Sequence, residues 1–246
     1  MIKYTICKTA LSKSRLPGLD YTFNPYIGCY HGCLYCYVPD VLKLNLEWGK
    51  EVYVKKNVLN ILRKEVLIKK RGIVGISTAT DPYQSIEKDL EITRRAIEIL
   101  KNSGFYISIQ TKSSLVLRDL DLMNEKFDVG FTITSINEEF RKKFEPNAPS
   151  INERISALEE ISSKGIKTWI FYGPVIPGFN DSEEDMKNIV ILAAKTNSKI
   201  IYDKLNIKPK VMKRMQNLNF KNVDFKKLEL LCKKFNVKCE PAFKVK

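Results

Sequence analysis

At 246 residues, with 44% hydrophobic and 10% aromatic side chains, the chain is long enough for one domain with a substantial core, and its composition excludes disorder. No apolar run approaches the length of a membrane span, and the opening MIKYTICKTALSKS has lysines but no apolar leader core. A cytoplasmic protein without a membrane partner is therefore expected, its six cysteines kept as free thiols or bound to metal.

In chain order, YTFNPYI (21–27) predicts a first strand that runs into a cysteine-rich loop, followed by a helix over about 54–70. GIVGIST (72–78), FYISIQT (105–111), DVGFTIT (128–134), IKTWIFYGPVI (166–176) and KIIYDKLNI (199–207) predict further strands: short, rich in β-branched and aromatic residues, and several apolar on both faces. Helices are expected near 88–103, 115–125, 137–144, 151–164 and 183–197. Ser150 with Glu153 spells a capping box, Ser182 with Asp185 opens the next helix in the same way, and Gly104 and Gly165 suit helix ends. Strands alternating with helices over short connections mean right-handed crossovers and a parallel sheet. About six such units predict an α/β fold, a partial open (β/α)6 barrel with its chemistry at the strand C-termini. The expected division is a core over 1–203 and a basic extension over 204–246 packing on the barrel, with the lysine face of VDFKKLELLCKKF in that extension.

The loop NPYIGCYHGCLYCYVP (24–39) places Cys29, Cys33 and Cys36 within eight positions. Three cysteines in one loop are not the even set of a disulfide framework, and a closed zinc site needs four ligands. Three thiolates can instead hold three irons of a 4Fe–4S cluster, leaving the fourth iron open. S-adenosylmethionine can chelate that iron, and an electron from the cluster then cleaves its sulfonium bond to give a 5′-deoxyadenosyl radical. The alternative is a zinc knuckle with His31, the one histidine of the chain, as fourth ligand; otherwise His31 packs the loop or supports the ligands. Cys7, Cys232 and Cys239 are expected to be buried free thiols.

The C-x3-C-x2-C triplet resembles the signature of the radical SAM superfamily. With STATDPYQ, TKSSLVLRDLDLM, FEPNAPSINERISAL and GPVIPGFND following in order, residues 20–181 resemble its spore photoproduct lyase–like branch. The resemblance implies a partial barrel, Cys29, Cys33 and Cys36 as cluster ligands, and Tyr35 beside the adenine of S-adenosylmethionine. It implies Thr80, Lys112 and Thr132 as further contacts to that molecule, and Tyr37 as a redox-active phenol. As plain residues, the threonines can also cap turns, Lys112 can be a solvated lysine and Tyr37 a packing tyrosine. Glu145 and Arg154 are expected to pair at a helix start rather than meet substrate. The lyase's hydrogen-donating cysteine aligns with Thr78, whose O–H bond is too strong to serve, so thymine-dimer repair is not expected.

The formal charge of +14 is uneven: residues 1–203 carry +4 and 204–246 carry +10. Either this is compositional bias, or the extension meets nucleic acid, with Lys204, Lys208, Lys210, Lys213 and Arg214 along one edge. The expected function is radical SAM chemistry on a nucleic-acid lesion or base, supplied with electrons by a reductant such as ferredoxin or flavodoxin. Peptide or protein modification, and a zinc-stabilised binding module without catalysis, are the alternatives.

Overall fold

The computed structural model describes residues 1–216, 218 and 223–243. Its elements are β1 (Ile2–Thr5), β2 (Leu11–Lys13), β3 (Tyr21–Phe23), β4 (Tyr26–Ile27), α1 (Val38–Val41), β5 (Val52–Lys55), α2 (Val58–Ile68), β6 (Ile73–Ile76), α3 (Glu87–Leu90), α4 (Ile92–Asn102) and β7 (Tyr106–Thr111). A 3-10 segment (Ser114–Leu122) follows, then β8 (Phe127–Thr132), α5 (Glu138–Phe144), α6 (Ile151–Ser163), β9 (Lys167–Val175), α7 (Glu183–Lys195), β10 (Lys199–Lys204), α8 (Pro209–Arg214), α9 (Lys226–Lys234) and β11 (Cys239–Pro241).

Six strands, β3, β6, β7, β8, β9 and β10, pair in parallel and in sequential order, as the apolar β-branched runs predict. Each crossover passes through helical chain, which returns it to the same end of the sheet. β11 extends the sheet in parallel beyond β10, and β2 closes the other side antiparallel to β3. Among the described residues β2 and β11 remain separate edges, so the fold is a partial (β/α)6 barrel. The core lies between the sheet and the helices, with Phe23, Ile76, Ile109, Phe131, Ile170 and Ile200 almost wholly buried, together with the apolar faces of α2, α4, α6 and α7. The capping box at α6 and the Ser182 cap of α7 form as expected.

Three local features differ from the expectations. The strand over 21–27 is two strands, because Pro25 has no N–H to give to a ladder. The chain leaves β6 after Phe23 and pairs through Tyr26 and Ile27 with β5 in a separate sheet ordered β1–β5–β4. The helix expected from 54 starts at Val58, since Val52–Lys55 alternates buried and half-buried residues and pairs in parallel with β1. The helix expected over 115–125 is the 3-10 segment, opened by Ser113, whose hydroxyl accepts from the Leu115 N–H at 3.2 Å.

A further correction concerns the thiols. Cys232 and Cys239 are joined in a disulfide with their Cα atoms 6.2 Å apart, tying the end of α9 to the start of β11. Asn236 takes a positive φ of 55° between them, and this left-handed residue folds the helix end back towards the strand. Cys7 is free and half-buried rather than buried.

Candidate functional site

A cavity of about 400 Å3 runs along the inner side of the parallel strands and reaches their C-terminal ends. Its wall is assembled from the cysteine loop and from strand ends: Ser77 to Thr80 beyond β6, Thr111 and Lys112 at β7, Thr132 at β8, and Asp203 at β10. The eight residues expected to hold the cluster, contact its partner molecule or act as a phenol lie on this wall: Cys29, Cys33, Cys36, Tyr35, Tyr37, Thr80, Lys112 and Thr132. Thr78 lies there too, and the wall carries no thiol beyond the three of the loop among the described residues.

Local chemistry shapes the loop. Gly28 has φ +91°, and a Cβ there would stand 2.5 Å from the Glu51 carbonyl oxygen, so only glycine lets the loop leave β4 against β5. Gly32 and Gly49 pack backbone to backbone, each with positive φ. Thr80 donates its hydroxyl hydrogen bond to the Gly28 carbonyl at 2.5 Å, and the Gln84 carboxamide accepts from the Tyr30 N–H at 2.9 Å. Trp48 donates its indole N–H to the Cys33 carbonyl at 3.1 Å. Arg214, from α8, donates to the carbonyls of Leu34, at 3.0 Å, and Cys36.

Cys29 and Cys33 are buried and Cys36 half-buried, and all three thiols are free. Burial pushes all three thiols up, Cys33 to about 12, although Lys112 pulls Cys33 and Cys36 back. Thiols held in this way ionise readily only against a bound cation. Three free thiols gathered in one loop on the cavity wall fit a 4Fe–4S cluster, which three thiolates can hold with the fourth iron left open. His31 is buried with Nδ1 3.4 Å from an Asp81 carboxylate oxygen, and burial lowers its pKa against the pull of that carboxylate. It is a packed neighbour of the thiols.

Behind the thiols lies a buried polar network. Glu145 and Arg154, both wholly buried, form an ion pair at 2.5 Å. Arg154 also donates to the Thr132 carbonyl at 3.2 Å and the Pro149 carbonyl at 2.7 Å. Tyr35 donates its hydroxyl to Glu145, and the Lys112 ammonium stands 5.7 Å from the centre of the Tyr35 ring. Burial opposes the charge on Glu145, but Arg154 and Lys112 outweigh it and hold the carboxyl at about 2. Burial likewise opposes the Lys112 charge and is outweighed, by the Cys33 thiol and Glu145, so its pKa is raised. The cavity therefore keeps a fixed ammonium beside the thiols.

Ser77 tests whether the wall is shaped for a ligand. It is a non-glycine residue at φ 60°, it is buried, and its hydroxyl has no hydrogen-bond partner. Strained backbone and an unpaired buried polar atom together at the mouth of a strand are a mark of a ligand site. Sequence reasoning missed Ser77, Trp48 and Asp81, and it read Arg214 as part of a basic edge for nucleic acid, whereas its guanidinium is held by the Leu34 and Cys36 carbonyls of the cysteine loop. Asp81 accepts from the Lys112 N–H and the Thr111 hydroxyl, both at 2.8 Å, and so fixes where Lys112 starts. A strand-end Asp-Pro was the signal for it; the others have none.

Residues 23–190 match the Radical SAM superfamily, and the chain belongs to that superfamily. Its characteristic cofactors are a 4Fe–4S cluster and S-adenosylmethionine. An uncharacterized protein of Methanocaldococcus jannaschii is 38% identical over 182 residues, covering 72% of this chain and 68% of the relative. An uncharacterized protein of Mycobacterium tuberculosis is 31% identical, covering 75% of this chain; the chain spans only 59% of that relative's length. A radical SAM Nα-GlyT isomerase of Pseudomonas phage M6 is 25% identical, covering 72% of this chain and 38% of the relative. In fold, the chain is similar to spore photoproduct lyase complexed with dinucleoside spore photoproduct, at TM-score 0.77 and 16% identity, over 98% of this chain and 82% of the other.

Proposed function

We propose that this chain is a radical SAM enzyme acting on nucleic acid, by repair of a lesion or by modification of a base. The observation that carries the reading is the single cavity wall on which Cys29, Cys33 and Cys36 meet Lys112, Thr80 and Thr132 at the ends of the parallel strands. In this reading residues 1–203 are the catalytic core and the three cysteines hold the cluster. When bound, the cluster supplies one electron for reductive cleavage of S-adenosylmethionine.

The chain's own residues bind and orient. Lys112 gives a cation for the methionine carboxylate, and the hydroxyls of Thr80 and Thr132 suit ribose or carboxylate oxygens. Tyr35 lines the adenine side while its hydroxyl, held by Glu145, fixes the ring. Tyr37, half-buried at the start of α1, faces the cavity as a phenol able to take part in hydrogen transfer.

Nucleic acid is favoured as substrate by the lyase bound to a dinucleoside among the structural neighbours and by the basic extension. Within that extension α9 leads from the C-terminal end of β10 to the start of β11, so its first turn, with exposed Lys226 and Lys227, lies at the cavity's end of the sheet. Thymine-dimer repair itself is disfavoured, because Thr78 supplies no transferable hydrogen. The test is anaerobic reconstitution of the wild type and of Cys29→Ala, Cys33→Ala and Cys36→Ala. The wild type binds iron and sulfide and forms 5′-deoxyadenosine under dithionite; each variant loses both. A variant that keeps the wild-type rate refutes the ligand set.

A further inference from the structure

The inner face of the sheet is not packed as the interior of a closed barrel is. Such interiors are filled by large branched apolar side chains. Here Gly75, Ser108, Gln110 and Asp128 line the cavity between Lys112 and the strand starts, and Gly130 lies under the Trp169 indole. The parallel register sorts this wall into rungs. Thr132, Phe171 and Ile201 share the upper one, Gln110, Gly130, Trp169 and Lys199 the next, and Ser108 pairs with Asp128 on the third. At about 3.3 Å per residue, Asp128 lies about 13 Å along β8 from Thr132. The floor is thus a compartment of its own, well below the rim that Lys112 and Thr132 occupy.

Asp128 is the fixed point of that floor. Its Oδ1 accepts from the Ser108 hydroxyl and from the Trp169 indole N–H, both at 2.7 Å. Two donors on one oxygen aim the carboxylate, and Oδ2 has no partner among the described residues. Packing Trp169 against β8 needs only the first oxygen, so the second is surplus to the fold. No cation neutralises it either. Lys199, the one ammonium besides Lys112 on the wall among the described residues, pairs with Glu240 at 2.9 Å. The rings of Trp169 and Phe171 line the same wall. A free, oriented acceptor beside aromatic rings suits a flat ring bearing an N–H group, and it repels a phosphate.

We propose that the floor of the cavity is a base-reading subsite, in which Asp128 Oδ2 accepts from the exocyclic amino group of a nucleobase. This rests on the nucleic-acid reading proposed above and narrows it to an amino-bearing base. A carboxylate accepts from the cytosine 4-amino group, whereas thymine and uracil place a carbonyl oxygen there. That oxygen would face a fixed carboxylate, so the wrong base is rejected by repulsion as well as by a lost bond. Ser108 and Trp169 are positioning residues that hold Asp128 on line. A base that reaches the floor has left its stack, while its phosphates stay at the rim. Selection of an amino-bearing base accords with Thr78, which already disfavours thymine-dimer repair.

Cytidine and uridine are the probes, since they differ only at ring positions 3 and 4, and the one ring N–H of uridine sits between two carbonyl oxygens. Calorimetry is run on reconstituted protein holding S-adenosylmethionine without reductant, and on the iron-free chain. In both, cytidine should bind about tenfold more tightly than uridine. In Asp128→Asn the Ser108 and Trp169 donors retain the side-chain oxygen, so the amide nitrogen faces the cavity as a donor. The preference should then reverse, with uridine about threefold the tighter. The wild-type comparison needs no substitution, so a variant that fails to fold leaves the test standing. Equal affinities in a wild type that still binds single-stranded DNA would overturn the subsite and leave the nucleic-acid reading intact. Binding of neither nucleoside nor DNA would overturn both. An unchanged preference in folded Asp128→Asn would also overturn the proposal. So would loss of cytidine binding once S-adenosylmethionine is present, which would give the floor to that molecule. Glycinamide binding in place of cytidine would overturn it in favour of a peptide amine. A cytidine preference in a chain that takes up no iron would support the subsite and refute the enzyme reading.

Discussion

Glu145 shows how one carboxylate ties stability to the site. Its charge is stabilised by Arg154 and Lys112, and its folded pKa of about 2 lies below the ordinary glutamate value of 4.5. A depressed carboxylate contributes stability above its unfolded pKa, and that contribution is lost as pH falls through 4.5 towards 2. The shift corresponds to roughly 3 kcal/mol. Denaturant titrations between pH 6 and 2.5 should show this loss in the wild type and a smaller one in Glu145→Gln. At neutral pH, Glu145→Gln should cost about 3–5 kcal/mol, because it leaves the Arg154 guanidinium buried without its counter-charge. Sequence suggested the Glu145–Arg154 pair but not its depth, because nothing in FEPNAPSINER says that Thr132 and Tyr35 will close over it.

At the scale of elements, β8 and β9 are locked by one large-to-small contact. Trp169 lies across Gly130 on the neighbouring strand and donates its indole N–H to Asp128 at 2.7 Å. A Cβ at position 130 would overlap the indole, so Gly130→Ala should cost about 1–3 kcal/mol or more. Trp169 fluorescence should shift as the ring leaves Asp128. The Cys232–Cys239 bridge is the second device, closing a short loop across the turn from α9 into β11. Reduction, or Cys239→Ser, should lower stability by about 2 kcal/mol by the loop-closure argument. Hydrogen exchange should then quicken first at Ala242, whose N–H is held by the Tyr202 carbonyl at 2.9 Å. Both cysteines were visible in the sequence, but pairing requires the Asn236 turn, which apolar periodicity does not report.

Across the whole molecule, charge gives a measurement that needs no chemistry. If the first turn of α9 meets phosphates, binding of duplex DNA should weaken with salt by a slope of roughly −0.9 per contact. Lys226/Lys227→Gln should flatten that slope, while a wild type that binds no DNA at low salt would leave the charge without a nucleic-acid role. The parallel strands β6 to β10 were legible from apolar runs rich in β-branched and aromatic residues, whereas β1 and β2 were not because they are short and largely exposed, and β5 was not because its four residues run almost directly into α2. The cysteine loop was legible by spacing alone. Its supports were not: Trp48 and Arg214 bind backbone carbonyls, which every residue possesses, so no sequence pattern marks the choice. Arg214 and Cys36 are also 178 positions apart. That separation sets an order of events during synthesis. At ribosomal speed the thiols emerge roughly nine to thirty-six seconds before the arginine that fastens their loop. A nascent chain therefore presents its three cysteines on an unfastened hairpin for that interval, and metal delivered before release meets a looser loop than metal delivered after.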